Sequence, residues 1–253
     1  MTGYDTVRYG SLDGRRVLIT GGASGIGAEL VRAFAAQGAR VGFLDLDAEA
    51  GATLAEATGT RFGACDLRDL PALQAAIAGI ADALGPAEVL INNAARDDRH
   101  AFEDLTPEYW QESLATNLSH HVFAAHAVLS GMKAMGGGTI LTLGSISWMR
   151  GRPGMIGYTT AKAAIHGLTR TLAQELGAHG IRVNSIVPGA IRTERQERLW
   201  ANPEKAREFI ALQALKLRLE AHHVARMALF LASDEAAGCT GQDFVVDAGL
   251  TLN

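Results

Sequence analysis

Seven short β-forming runs, each parted from the next by a longer helix-forming stretch, constrain this chain more than any other feature. The runs are Arg15 to Thr20, Arg40 to Asp45, Arg61 to Asp66, Ala87 to Asn92, Thr139 to Leu143, Ile181 to Val187 and Asp243 to Asp247. Between them lie helical patterns through Ala28 to Phe34, Asp47 to Thr58, Asp69 to Leu84, Thr106 to Met132 and Tyr158 to Leu176. Irregular helical stretches run from Gln196 to Leu217 and from His222 to Leu231. A helix between successive strands returns the chain in parallel with a right-handed crossover. The pattern therefore predicts an α/β doubly wound fold, one parallel seven-stranded sheet with helices on both faces, forming a single domain over the 253 residues.

Composition narrows the function. With 48% hydrophobic and 20% charged residues the chain reads as a soluble globular protein. A net charge of -4 gives no footing for nucleic acid or an anionic membrane. No apolar run approaches the ~20 residues a membrane helix needs, and the first ten residues lack a signal peptide's apolar core. Two cysteines, Cys65 and Cys239, form no ligand spacing, and adjacent His222 and His223 point apart on a helix, so no metal site is expected. A reduced, cytoplasmic protein is the expectation.

Ligands of such sheets bind beyond the carboxyl ends of the strands. That edge gathers the turn Gly21 to Gly27, then Asp45, Asp66, Asn92, Ser145 and Pro188. Glycines at 21, 25 and 27, with Ser24 and Ile26 between them, let a backbone turn sharply against a pyrophosphate seated on free N–H groups at a helix start. Asp45, 18 positions beyond Gly27, stands where an acid accepts both hydroxyls of an adenosine ribose. A 2′-phosphate there would meet like charge costing about 1–4 kcal/mol at ~4 Å. Leu46 follows and Ser24 fills the turn position that could carry a basic residue, so NAD is expected over NADP, by roughly five- to several-hundred-fold.

Tyr158 and Lys162 are four apart at the start of a helix and share a face. Alone, such a pair is commonplace on helix surfaces. Placed at the ligand-binding edge, an ammonium beside a phenol favours the phenolate, and the tyrosine becomes a general base.

Thr20-Gly-x-x-x-Gly25-x-Gly27, Asp66-Leu67, Asn92-Asn-Ala-Ala95, Asn117, Ser145, Tyr158-x-x-x-Lys162 and Pro188-Gly-x-Ile191-x-Thr193 occur in an order and spacing that resemble the short-chain dehydrogenase/reductase family over essentially the whole chain. Ala95 stands where that family usually has glycine. The resemblance implies a Rossmann-type fold and a role for each residue. Asn117, Ser145, Tyr158 and Lys162 would be catalytic, with Tyr158 the base, Ser145 holding the reacting oxygen and Asn117 anchoring a water that links Lys162 to solvent. Gly21, Ser24, Gly25, Ile26, Gly27, Asp45, Asp66, Leu67, Asn92, Ala94, Tyr158, Lys162, Pro188, Gly189, Ile191 and Thr193 would bind the cofactor. Family members usually form homotetramers through their long helices and C-terminal strands.

The loops at the substrate end are polar, which suits a polyol better than a steroid or acyl chain. Arg96, Asp98 and His100 follow the fourth strand, Ser147 and Trp148 follow Ser145, and Arg195, Gln196 and Trp200 follow the sixth. With Ser145 and Tyr158 these are the expected substrate contacts, the tryptophans offering platforms to apolar sugar faces. The runs Asn92 to His100, Gly144 to Trp148 and Pro188 to Gln196 further resemble bacterial NAD-dependent aldose 1-dehydrogenases, which oxidise sugars such as D-xylose, L-arabinose and D-galactose to lactones. Arg150 and Arg152 depart from the pattern near the substrate opening and could favour an acidic or otherwise altered sugar. Two other readings stay open. One is the same chemistry on a hydroxysteroid or 3-hydroxyacyl alcohol, in an apolar pocket of Trp148, Met149, Met155 and Trp200. The other is a catalytically silent NAD-binding regulator.

Overall fold

A computed structural model describes residue 4, residues 6–194 and residues 203–252, with side chains left undescribed at 203–206. Strands β1 (Arg16–Thr20), β2 (Arg40–Asp45), β3 (Arg61–Ala64), β4 (Val89–Asn92), β5 (Gly138–Leu143), β6 (Ile181–Pro188) and β7 (Asp243–Val246) form one parallel sheet in the order β3-β2-β1-β4-β5-β6-β7. The order reverses between β1 and β4, so a crevice opens beyond their carboxyl ends. Register places Thr20 opposite Leu44 and Asn92, and Asn92 opposite Thr142, so these residues form a row just beneath that crevice.

Side-chain alternation along the strands builds two cores. Val17 and Ile19 of β1 face helices α1 (Gly25–Ala36) and α8 (Ala221–Ala232), where Leu30, Phe34, Val224 and Leu231 are buried. Leu18 faces the other way, onto α3 (Leu70–Leu84), α5 (His120–Ala134) and α6 (Ile156–Leu176), through Ile77, Val128 and Leu176. Period two in the strands and period 3.6 in the helices thus produce apolar layers on both faces of the sheet. Phe34 and Phe43, both with no exposed surface, anchor the first core, each worth roughly 1.5–3 kcal/mol of burial.

Helix starts follow local chemistry. Asp47 accepts from Ala50 N at the start of α2 (Ala48–Thr58), Asp69 from Ala72 N at α3, and Thr106 from Tyr109 N at α4 (Pro107–Leu114). Gly59, at φ 67°, closes α2 in the left-handed conformation. The pattern from Thr106 to Met132 is one helix by periodicity. In the structure a π turn, Ala115–Ser119, divides it into α4 and α5, and Asn117 sits inside that turn. Of the stretch from Gln196 to Leu217, α7 (Pro203–Leu212) is described.

Candidate active site

The glycine turn is braced from both neighbouring strands. Gly21 N and Gly22 N donate to Leu44 O at the end of β2, at 2.7 and 3.2 Å. Asn93 Nδ2, just beyond β4, donates to Gly21 O at 2.7 Å. Asn93, outside the expected site residues, also lines the cavity that holds Ser145 and Tyr158. Gly27 is fixed by contact: a Cβ there would lie 1.8 Å from Gly21 O. Ser24 occupies the N-cap of α1 yet makes no side-chain cap bond, so the first N–H groups of that helix stay available to an anion. Asp45 closes the side of the turn, accepting from Ala23 N at 2.9 Å and Asp47 N at 3.0 Å, and forms no salt bridge among the described residues. Gly25 at φ 54° sits within reach of Thr193 across the crevice.

Asp66 and Leu67 follow β3. Arg68 grips the Asp66 carboxylate (Nη2 2.6 Å, Nε 3.0 Å), and those hydrogen bonds hold it below the ordinary carboxylate range. Arg68 also reaches Glu112 at 2.7 Å. Asn92 is fully buried: Nδ2 donates to His121 O at 3.1 Å and Oδ1 has no protein partner.

At the neighbouring strand end, Ser145 leaves β5 and Tyr158 enters two residues into α6. Lys162, one turn later and 2% exposed, donates from Nζ to Leu143 O at 2.6 Å and lies 5.6 Å from the Tyr158 ring centroid. Burial pushes Lys162 down to about 7. Burial also pushes Tyr158 up to about 12, against the opposing effect of the neighbouring Ser145 hydroxyl. The lowered tyrosine pKa expected from the Tyr-Lys spacing is therefore absent, because desolvation outweighs a lysine whose own charge is weakened by burial. Near Lys162, the tilted rings of His120 and His121 lie 4.3 Å apart with no exposed surface, and burial drives His120 down to about 3. Asn117 is buried as well: Nδ2 donates to Ser113 O at 2.9 Å, and Oδ1 accepts from Arg96 N at 2.8 Å.

One cavity joins these groups. Ser145, Tyr158 and Lys162 line it together with Ile26, Pro188, Gly189, Ile191 and Thr193. Gly21, Ser24, Gly25, Gly27, Asp45, Asp66, Leu67, Asn92 and Ala94 lie outside it, along the glycine-turn side of the crevice, and Asn117 lies behind it.

A family model described as Enoyl-(Acyl carrier protein) reductase matches residues 21–251. A D-xylose 1-dehydrogenase of Caulobacter vibrioides is 48% identical over 95% of this chain and 97% of its own. A Rhizobium meliloti protein named "Probable galactose dehydrogenase GalD" is 46% identical over 96% of this chain and 97% of its own. A solved structure described as a short chain dehydrogenase/reductase family protein superposes with a TM-score of 0.87 at 34% identity, covering 96% of this chain and all of that one. The chain belongs to the short-chain dehydrogenase/reductase family. It is an oxidoreductase acting on CH–OH groups.

Dehydrogenases of this family with a Rossmann-like sheet typically use a nicotinamide cofactor. The residues fit one: an uncapped helix start, a turn in which a Cβ at Gly21, Gly22 or Gly27 would collide with its neighbours, and a carboxylate beside it. Among the described residues no cluster of metal-ligating side chains occurs, and no helix is long and apolar enough to cross a membrane.

The substrate end of this short-chain dehydrogenase differs from the residues expected there. In the loop after β4 the cavity takes Ala95, Asp97 and Arg99, not Arg96, Asp98 and His100. The loop alternates, so the two sets face opposite ways. Arg96 pairs with Asp98 and, at 3.0 Å, with Glu112. His100 packs on Tyr109 at 4.4 Å. The loop after β5 coils into a turn, with Arg150 N donating to Ile146 O and Arg152 N to Ser147 O, both at 3.1 Å. That turn carries Trp148 away, toward His166 at 6.0 Å, and brings Ser147, Arg150 and Arg152 to the cavity. Ser147 Oγ is buried there without a protein partner. Phe209 of α7 and Leu250 also line the cavity, and nothing in their local sequence marks them for it. Arg195, Gln196 and Trp200 lie outside the described residues.

Proposed function

We propose that the protein oxidises the anomeric hydroxyl of an aldose to a lactone, with NAD as the hydride acceptor. One observation carries the reading: Ser145 and Tyr158 line one cavity that also presents Asp97 and the unpartnered Ser147 hydroxyl, groups suited to a polyol. The relatives named for D-xylose and galactose support the same donor class.

In this reading the free N–H groups at the start of α1 hold the pyrophosphate, with Gly21, Ser24, Gly25 and Gly27 forming the turn. Asp45 holds the adenosine ribose, and Asp66, Leu67, Asn92 and Ala94 flank the adenosine. Ile26, Pro188, Gly189, Ile191 and Thr193 wall the nicotinamide. When bound, the oxidised nicotinamide supplies a hydride acceptor and a positive charge. Ser145 Oγ orients the substrate oxygen, and Tyr158, as phenolate, takes that oxygen's proton. The anomeric C–H electron pair leaves as hydride, a C=O forms at the same carbon, and the ring oxygen stays bonded, giving a lactone. Lys162, with its pKa at about 7, exchanges protons near neutrality and returns this one to water. Both polar ends of the Asn117 side chain are engaged, so its part falls to the main chain, where a π turn leaves carbonyls outside the regular ladder.

NADH formation across a panel of aldoses tests this; silence on every aldose with turnover of another alcohol refutes it. A hydroxysteroid or acyl pocket draws less support, because of Trp148, Met149 and Met155 only Met155 lines the cavity. The assembled Ser145, Tyr158 and Lys162 speak against a silent regulator.

We also read the chain as one catalytic domain working in the cytoplasm as a homotetramer. Exposed Val122 and Phe123 on α5 and Val245 on edge strand β7 support self-association. Sedimentation velocity showing a monomer at micromolar concentration would remove that part.

A further inference from the structure

Arg99, Arg150 and Arg152 all line the cavity that holds Ser145 and Tyr158. Asp97 lies 3.7 Å from Arg99 and answers one of the three. Among the described residues neither Arg150 nor Arg152 forms a salt bridge, and Arg150 Nη1 is buried with no hydrogen-bond partner. Both guanidinium groups lie over the ring of Phe209, at 5.7 and 4.9 Å, which holds them at the cavity wall instead of trailing into solvent. Their company is unfavourable without a ligand: burial, then the charges of Arg99 and Arg150, weaken Arg152's hold on its proton.

A partly buried cation with no counter-charge is costly, and a planar guanidinium fork matches two oxygens of a carboxylate or phosphate. A neutral aldose would add no counter-charge where the described residues supply none. An oxyanion would answer it.

Resting on the sugar-oxidising reading above, we propose that the substrate is an anionic sugar, carrying a carboxylate or a phosphate on a carbon other than the one oxidised, and that Arg150 and Arg152 hold this group. Arg99, tied to Asp97, completes the positive wall. The two arginines are specificity-determining residues, and Phe209 is the residue that positions them.

The test compares kcat/KM for NAD reduction by the full chain on D-galactose, D-galacturonate and D-galactose 6-phosphate, and on D-xylose and its 5-phosphate. At least one anionic sugar exceeds its neutral parent by about tenfold or more, the gain expected of a charge-assisted hydrogen-bonded pair. Which one does so separates carboxylate from phosphate. Arg150→Gln and Arg152→Gln each lower the anion-to-neutral ratio about tenfold, and raising salt narrows it in the unsubstituted protein, a readout that needs no variant to fold. Neutral sugars oxidised as well as or better than both kinds of anion overturn the inference and leave the sugar reading standing. Turnover of no sugar at all removes both.

Discussion

Asp45→Asn tests the proposal that this carboxylate selects NAD. The carboxylate stands beside the glycine turn, fixed by Ala23 N at 2.9 Å and Asp47 N at 3.0 Å, with no salt bridge to neutralise it among the described residues. Asparagine keeps the shape and one acceptor oxygen, so the turn is held while the charge goes. A 2′-phosphate at ~4 Å from a full negative charge costs about 1 kcal/mol in a water-like dielectric and about 4 at an effective dielectric near 20. At 1.4 kcal/mol per tenfold, NAD is preferred over NADP by roughly five- to several-hundred-fold. Asp45→Asn also weakens acceptance of the two ribose hydroxyls by about 1.5–3 kcal/mol, the value of hydrogen bonds to a charged group. The substitution therefore lowers kcat/KM for NAD and raises that for NADP, and their ratio collapses toward unity. Initial rates of reduced-cofactor formation with each nucleotide, for both proteins at one ionic strength, measure it. An unchanged ratio in Asp45→Asn, or no preference in the unsubstituted protein, refutes the assignment of this carboxylate to the ribose.

Further outcomes follow from the same geometry. Tyr158→Phe lowers kcat by about 10²–10⁴, the usual worth of a positioned proton acceptor, and a loss below tenfold in steady-state rates would take the base role from Tyr158. Gly27→Ala drives a Cβ to 1.8 Å from Gly21 O, displacing α1 from the turn; cofactor titration by fluorescence then shows affinity lost at least tenfold, and unaltered affinity contradicts the cradle. Lys162 ties stability to pH. Its folded pKa, at about 7, lies below the ordinary 10.5, so between those values the unfolded chain binds more protons and stability rises with pH, while the full cost applies below pH 7. From pH 7 to 9 the melting temperature of the native protein climbs relative to Lys162→Met; parallel curves would place Lys162 in a wetter site. This window stays below the range in which Tyr158, held at about 12, titrates.

Much of this molecule is legible from local chemistry. Seven alternations of strand and helix dictate a parallel sheet, because a strand cannot return parallel without a crossover. Asp47, Asp69 and Thr106 start their helices through bonds that span three residues. The glycine turn, Asp45 and the sequence Ser145, Tyr158, Lys162 announce themselves because strand ends gather at one edge whatever the details of packing.

The rest depends on contacts between distant segments. Tyr158's pKa turns on burial rather than on its neighbour at i+4, and spacing carries no measure of burial. Whether Arg96 or Asp97 enters the cavity depends on which face of the loop finds Glu112, 16 positions beyond Arg96. Trp148 leaves the site and Arg150 enters it through the rotation of a single turn, and Phe209, from a helix that comes after β6, steadies the arginines from across the cavity. The sheet, and the strand-end edge that gathers the glycine turn, Asp45, Ser145, Tyr158 and Lys162, follow from the sequence, since each rests on periodicity or on bonds between near neighbours. Tertiary structure decided the substrate wall and the protonation energetics, since both are set by which remote side chains exclude water and which charges they bring along.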